Sequence, residues 1–150
     1  MAKIIKNNLS FNSDTINYDF SNINNPITVI TGDSGIGKSR YFDLMDSEQR
    51  INKKDAYVFI NHKTPKIVLE QLKKKQIHNK VVFIDNADIL MKNNTETRNM
   101  LKDSDNQFII FGRNLAAYDQ SRKGWAILRK LNNKNYKMQY VIDKSRGILI

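Results

Sequence analysis

Four short apolar runs set the strongest limit on what this 150-residue chain can fold into: ITVI (27–30), AYVFI (56–60), VVFID (81–85) and QFIIFG (107–112). They are rich in β-branched and aromatic residues and lack polar alternation, the pattern of strands buried on both faces. Segments of helical character lie between them: KSRYFDLMD, TPKIVLEQLKKKQ and TETRNMLK. In the second of these Thr64 is placed as the N-cap, Pro65 at the first helical position, and Ile67, Val68 and Leu72 as the buried stripe. SRKGWAILRKL reads as a further amphipathic stretch, YKMQYVI (136–142) as an alternating edge strand, and GILI as a strand beside it or a closure of the core. Upstream, Leu9 and Phe11, the polar NSD, and then alternating Ile16, Tyr18 and Phe20 predict a β-hairpin. Strand and helix alternate through the middle of the chain, which predicts right-handed crossovers and a mainly parallel sheet covered on both faces. The expected fold is therefore α/β: a three-layer α/β/α sandwich with an N-terminal β-hairpin, one domain over residues 1–150.

Composition narrows the setting. Hydrophobic residues make up 40% of the chain and charged residues 27%, and no apolar run approaches the roughly 18 residues of a membrane span. The opening MAKIIKNNLSF has neither a long apolar block nor a small-residue cleavage site, so no secretory signal is expected. With zero cysteines, disulfides and thiolate metal sites are excluded, and the two histidines, His62 and His78, are far apart. A cytoplasmic protein without a membrane partner is expected.

The chemistry concentrates in GDSGIGKS, residues 32–39, which satisfies G-x-x-x-x-G-K-[ST] at every fixed position. Gly32, Gly35 and Gly37 permit a tight turn that aims successive N–H groups at phosphate oxygens, with Asp33, Ser34 and Ile36 contributing backbone between them. The helix opening at Lys38, Ser39 and Arg40 adds its N-terminal dipole. Lys38 supplies a charge for the β- and γ-phosphates, and the Ser39 hydroxyl suits Mg²⁺.

This loop, together with VVFID, resembles the Walker A and Walker B motifs of the P-loop NTPase superfamily. The resemblance implies the P-loop NTPase fold, ATP and Mg²⁺ as ligands, and Asp85 beside the metal; read without it, Asp85 is a helix N-cap. The interval from Lys38 to Asp85 is similar to that of the division holding AAA+ proteins, RecA-like motors and ABC-type ATPases, and the spacing of IDNADIL resembles the AAA+ segment, so the resemblance points to a reduced AAA+-like ATPase core over about residues 26–115 with the subfamily open. It also implies a γ-phosphate sensor at Arg113 or Asn114; the plainer role for Arg113 is a loop cap or a surface ion pair. Where such families carry a catalytic glutamate, this chain has Asn86, whose amide holds a water but accepts no proton at neutral pH. Binding with slow hydrolysis, or a nucleotide-gated switch, is expected. A small P-loop kinase and a non-hydrolysing, nucleotide-ordered binding module are the alternatives. No N-K-x-D motif marks guanine, which leaves ATP as the default.

The net charge of +10 attracts polyanions, nucleic acid first. Lys63, Lys66, Lys73, Lys74, Lys75 and Lys80 form one basic group; Arg122, Lys123, Arg129 and Lys130 form another around Trp125, which is either a stacking surface for single strands or a core residue. An AT-rich coding sequence would inflate Lys, Asn and Ile equally well. A protein partner or a second copy of the chain is the other expectation, with Arg98, Arg122, Arg129 and Arg146 as candidates to complete a neighbour's site.

Overall fold

The computed structural model describes residues 2–31, 37–52, 55–87, 101, 104–112, 124–143 and 148–149. Within them form nine strands and two helices: β1 (Phe11–Asn12), β2 (Asn17–Asp19), β3 (Ile27–Thr31), α1 (Lys38–Asn52), β4 (Tyr57–Ile60), α2 (Lys66–Lys73), β5 (Val81–Ile84), β6 (Gln107–Phe111), β7 (Gly124–Lys130), β8 (Asn135–Asp143) and β9 (Ile148–Leu149). One sheet contains all the strands, in the order β1-β2-β8-β7-β3-β6-β5-β4, with β9 beside β8. From β7 to β4 every pairing is parallel. Then the direction changes: β8 is antiparallel to β7, β2 is parallel to β8, and β1 and β9 pair antiparallel with β2 and β8.

The continuous apolar runs divide their side chains between two clusters, as successive residues of a strand must. Val81, Phe83, Ile109 and Phe111 join one cluster; Val82, Ile84, Phe108 and Ile110 join the other. Helix α1 buries Lys38, Tyr41, Phe42 and Met45, one face at helical spacing, and the last three belong to the first cluster. Its Tyr41 is fully buried and donates its hydroxyl to the Leu9 carbonyl at 2.6 Å. The Tyr41 ring stacks on Phe20 at 4.0 Å and meets Tyr18 at 5.3 Å, Phe111 at 5.8 Å and Phe83 at 6.3 Å. Tyr18 lies on β2 and Phe83 on β5, five strand spacings apart, or about 24 Å in a flat sheet. One ring touches both limbs only because the sheet curls around α1.

These findings correct the expected architecture. The molecule is a curled, mixed sheet of half-barrel form with two helices among the described residues, not a helix-rich three-layer α/β/α sandwich with a mainly parallel sheet. The resemblance to the P-loop NTPase superfamily, and to a reduced AAA+-like core, fails on the same ground. The physical reason lies in β8, where Tyr136, Met138 and Tyr140 are buried while Lys137 is exposed and Gln139 half-buried. A strand that presents polar groups on its outer face needs no helical layer there. Helix α2 is eight residues long and buries only Leu72, so it covers little of the second cluster.

Local expectations shift too. The amphipathic stretch SRKGWAILRKL is a strand where described: Gly124–Lys130 is β7, held between β3 and β8. Its contiguous apolar residues suit either element, and two flanking ladders outweigh a helix that would carry an interior glycine. YKMQYVI is not at an edge, because β2 and β7 flank it. Pro65, rather than Thr64, precedes the first residue of α2, with no side-chain cap; the Thr64 hydroxyl instead accepts the Asn61 N–H at 2.8 Å. Ile67 is 66% exposed, outside the buried stripe.

Tyr41→Phe should keep the ring packing but strand the Leu9 carbonyl without its donor. A loss of about 1–3 kcal/mol is expected, read as a lower urea midpoint at unchanged slope. An unchanged midpoint would mean that another donor reaches Leu9.

Candidate functional site

Strands β3, β4, β5 and β6 run the same way, so their C-terminal ends share one rim of the sheet, the usual place for ligands in open parallel sheets. Backbone bonds tie the rim together: the Asp85 N–H donates to the Ile60 carbonyl at 2.8 Å, and the Gly112 N–H to the Ile30 carbonyl at 3.2 Å. Strand β3 leads into the glycine loop. Gly32, Asp33, Ser34, Gly35 and Ile36 lie outside the described residues, as do Arg98, Arg113, Asn114, Arg122, Lys123 and Arg146.

The loop's exit is described. Gly37 adopts φ +107°, the region that L side chains avoid. A Cβ there would lie 3.1 Å from the Tyr18 hydroxyl and 3.4 Å from the Tyr136 ring. The Gly37 carbonyl accepts both the Tyr41 N–H and the Tyr18 hydroxyl, each at 3.1 Å. Lys38, the first residue of α1, is only 9% exposed. Ser39 follows and donates its hydroxyl to Asp85 Oδ2 at 2.9 Å. Asp85 is 6% exposed, and its Oδ1 accepts the Asn86 N–H at 2.9 Å. Lys38, Ser39, Asp85 and Asn86 are thus brought to one rim, Asp85 from the end of β5 and Ser39 from the head of α1. Arg40 is exposed.

The Ser39–Asp85 pair offers two hard oxygen donors. Neighbouring oxygens on an octahedral magnesium, each about 2.0–2.1 Å from the ion, are about 2.9 Å apart. The pair therefore fits such an ion, which is held by one or two carboxylates and substrate phosphates rather than by an all-protein cage. Among the described residues no group of three or more His, Cys, Asp or Glu forms a metal cluster.

Three neighbours escaped sequence reasoning. Asp43 lies one helical turn beyond Ser39; loss of water around it, then repulsion from Asp85 and Asp46, raises its carboxyl above the ordinary value, with Lys63 opposing. The i, i+4 spacing from Ser39 was the available signal. His62, just past β4, brings its Nδ1 to 3.5 Å from the Asn86 amide, the outer limit of a hydrogen bond. Tyr18 reaches Gly37 from a distant strand, and nothing in the sequence marks that contact.

Of the basic groups, Lys63, Lys66 and Lys74 are exposed, Lys73 and Lys75 half-buried, and Lys80 pairs with Asp55 at 3.2 Å. Arg129 and Lys130 are exposed at the end of β7, with Arg129 donating to Gln139 at 2.9 Å. Trp125 is 3% exposed within the second cluster, which makes it a core residue rather than a stacking surface. No helix among the described residues is long and apolar enough to cross a membrane. No family model matches the chain, and no curated protein matches it in sequence.

Asn86 has φ +52°, a left-handed conformation that Asn tolerates better than most residues and that costs a β-branched residue about 1–2 kcal/mol. Asn86→Gly should hold stability within about 0.5 kcal/mol, while Asn86→Val should lose about 1–2 kcal/mol, both measured by urea unfolding. Equal losses would show that backbone conformation does not select this residue.

Proposed function

We propose that this protein binds the magnesium complex of a nucleoside triphosphate, with ATP as the default base, at the head of α1, and turns it over slowly. The observation that carries this reading is the 2.9 Å contact between Ser39 and Asp85, immediately after a glycine-rich loop. In it, Lys38 offers charge to the β- and γ-phosphates, the Ser39 hydroxyl and Asp85 hold the metal, and the first N–H groups of α1 face anionic oxygen. The composition of the loop, with three glycines among residues 32–37, suits a backbone cradle for phosphate. Magnesium would contribute charge neutralisation at the phosphates.

Slow turnover is part of the proposal. Asn86 follows the metal-side aspartate, and its amide orients water without taking a proton. The bound nucleotide then serves chiefly as a switch in a cytoplasmic protein. Lys38→Ala removes the mobile cation and leaves the backbone in place, so affinity for Mg·ATP should fall at least about tenfold. Calorimetry on wild type and variant measures this, and phosphate release from wild type measures the turnover. Equal affinity in the two proteins would end the phosphate-site reading; release faster than about 1 per second, in the ordinary enzyme range, would end the slow-switch reading.

For the partner under nucleotide control, the net charge of +10 supports nucleic acid over a neutral protein surface. The Lys73–Lys75 group is the first candidate, contacting phosphates without base stacking. Affinity for DNA should then fall steeply with salt, by about 0.9 log units per log unit of salt for each phosphate contact. Charge reversal at Lys73, Lys74 and Lys75 should flatten that slope. A slope unchanged by reversal would remove this surface from the proposal, and no binding at about 50 mM salt would leave a protein partner in its place.

A further inference from the structure

We propose that Tyr18 is a positioning residue of the phosphate site: through its hydrogen bond to the Gly37 carbonyl it sets the peptide that opens α1, and so ties nucleotide affinity to strands β2 and β8. The inference rests on the nucleotide reading above and adds a residue far from the loop in sequence.

The Gly37 carbonyl accepts two hydrogen bonds, one from the helix (Tyr41 N–H) and one from a strand (Tyr18 hydroxyl), both at 3.1 Å. In a trans peptide unit the carbonyl and the following N–H point in opposite directions. A Gly37 carbonyl held toward Tyr18 and Tyr41 therefore turns the Lys38 N–H away from them, out of the N-terminus of α1, where an anion would bind. The helical bond alone leaves this peptide at the fraying end of a helix; the Tyr18 hydroxyl adds a second restraint from the sheet.

That hydroxyl is itself held in place. Tyr18 is fully buried and stands directly across from Tyr136 in the β2–β8 ladder, their ring centroids 4.7 Å apart. Tyr136 also touches the space beside Gly37, so the glycine sits against two rings carried by neighbouring strands. Burial, with Tyr136 beside it, pushes the Tyr18 hydroxyl up to about 12, the Arg40 charge opposing only in part. It therefore stays a donor at any ordinary working pH.

A double-mutant cycle tests the coupling, with Mg·ATP titrated calorimetrically into the full chain of wild type, Tyr18→Phe, Gly37→Ala and the double variant. Tyr18→Phe should weaken affinity about five- to tenfold, as expected for loss of one part-buried hydrogen bond. In the Gly37→Ala background the same change should matter less than about twofold, because the contact is already lost. Tyr140→Phe is the control: it removes another buried tyrosine hydroxyl of the sheet, bonded to Thr28 at 2.7 Å, and should leave affinity unchanged whatever it does to thermal stability. If Gly37→Ala does not fold, the contrast between Tyr18→Phe and Tyr140→Phe decides alone. Wild-type binding with an additive cycle, or with no effect of Tyr18→Phe, overturns the role of Tyr18 and leaves the nucleotide reading standing. No wild-type binding overturns both.

Discussion

Tyr41 holds this molecule in its curled form. Its ring touches side chains from β2, β5 and β6 and from the segment following β2, while its hydroxyl secures the Leu9 carbonyl in the N-terminal segment. A flat sheet could not supply those contacts to one ring. Burial holds the phenol well above its ordinary pKa, so it remains a neutral donor and the carbonyl stays satisfied. The same residue begins the hydrogen-bonded ladder of α1, its N–H reaching back to Gly37. The packing that closes the sheet on the helix thus also fixes where the helix begins, and the candidate site is built at that beginning.

Across the rim the logic is one of strand order. Strand β6 lies between β3 and β5, so the chain leaving β3 and the aspartate ending β5 are separated by a full strand. The hydroxyl of Ser39, in the first turn of α1, spans that gap to Asp85. Asp85 is prevented from drifting by its own amide, bonded to Ile60, and by the Asn86 N–H that occupies its second oxygen. The left-handed turn at Asn86 makes this last bond local and inexpensive in entropy. It also gives a conformational reason for the amide found there. A glutamate there would face the left-handed penalty of about 1–2 kcal/mol, whereas asparagine is among the residues that tolerate this conformation.

The four central runs were legible as strands because continuous β-branched and aromatic runs have few other uses; β3, β5 and β6 are buried, while β4 lies at the sheet's edge and is half-buried. Strand β7 was not legible, since WAILRK is contiguous enough to suit either element, and only its two neighbours decide the matter. The tyrosines and methionine of YKMQY alternate with polar residues, and this pattern bears on the whole sheet. Period-two alternation marks a solvated outer face, and a sheet with such a strand in its interior cannot be sandwiched between helical layers along its whole width. That Lys38, Ser39 and Asp85 would come to one rim was legible from motif spacing. Asp43, His62 and Tyr18 were not, because their proximity is created by a helical turn, a strand end and a distant ladder.

The mixed half of the sheet therefore has a use that a helical layer would not supply. Here β8 reverses direction and brings β2 with it, and this places Tyr18 and Tyr136 against Gly37. Glycine is favoured at that point by φ, and the Tyr18 hydroxyl leaves little room for a Cβ. A Cβ would need both the disfavoured backbone region and a few tenths of an ångström of movement from the Tyr18 hydroxyl, whose ring is packed against Tyr136 and Tyr41. Because those rings are shared with the core that curls the sheet, the loop's exit cannot shift without disturbing the packing around Tyr41. Rigidity at the mouth of the site and closure of the sheet are the same set of contacts, seen from its two ends.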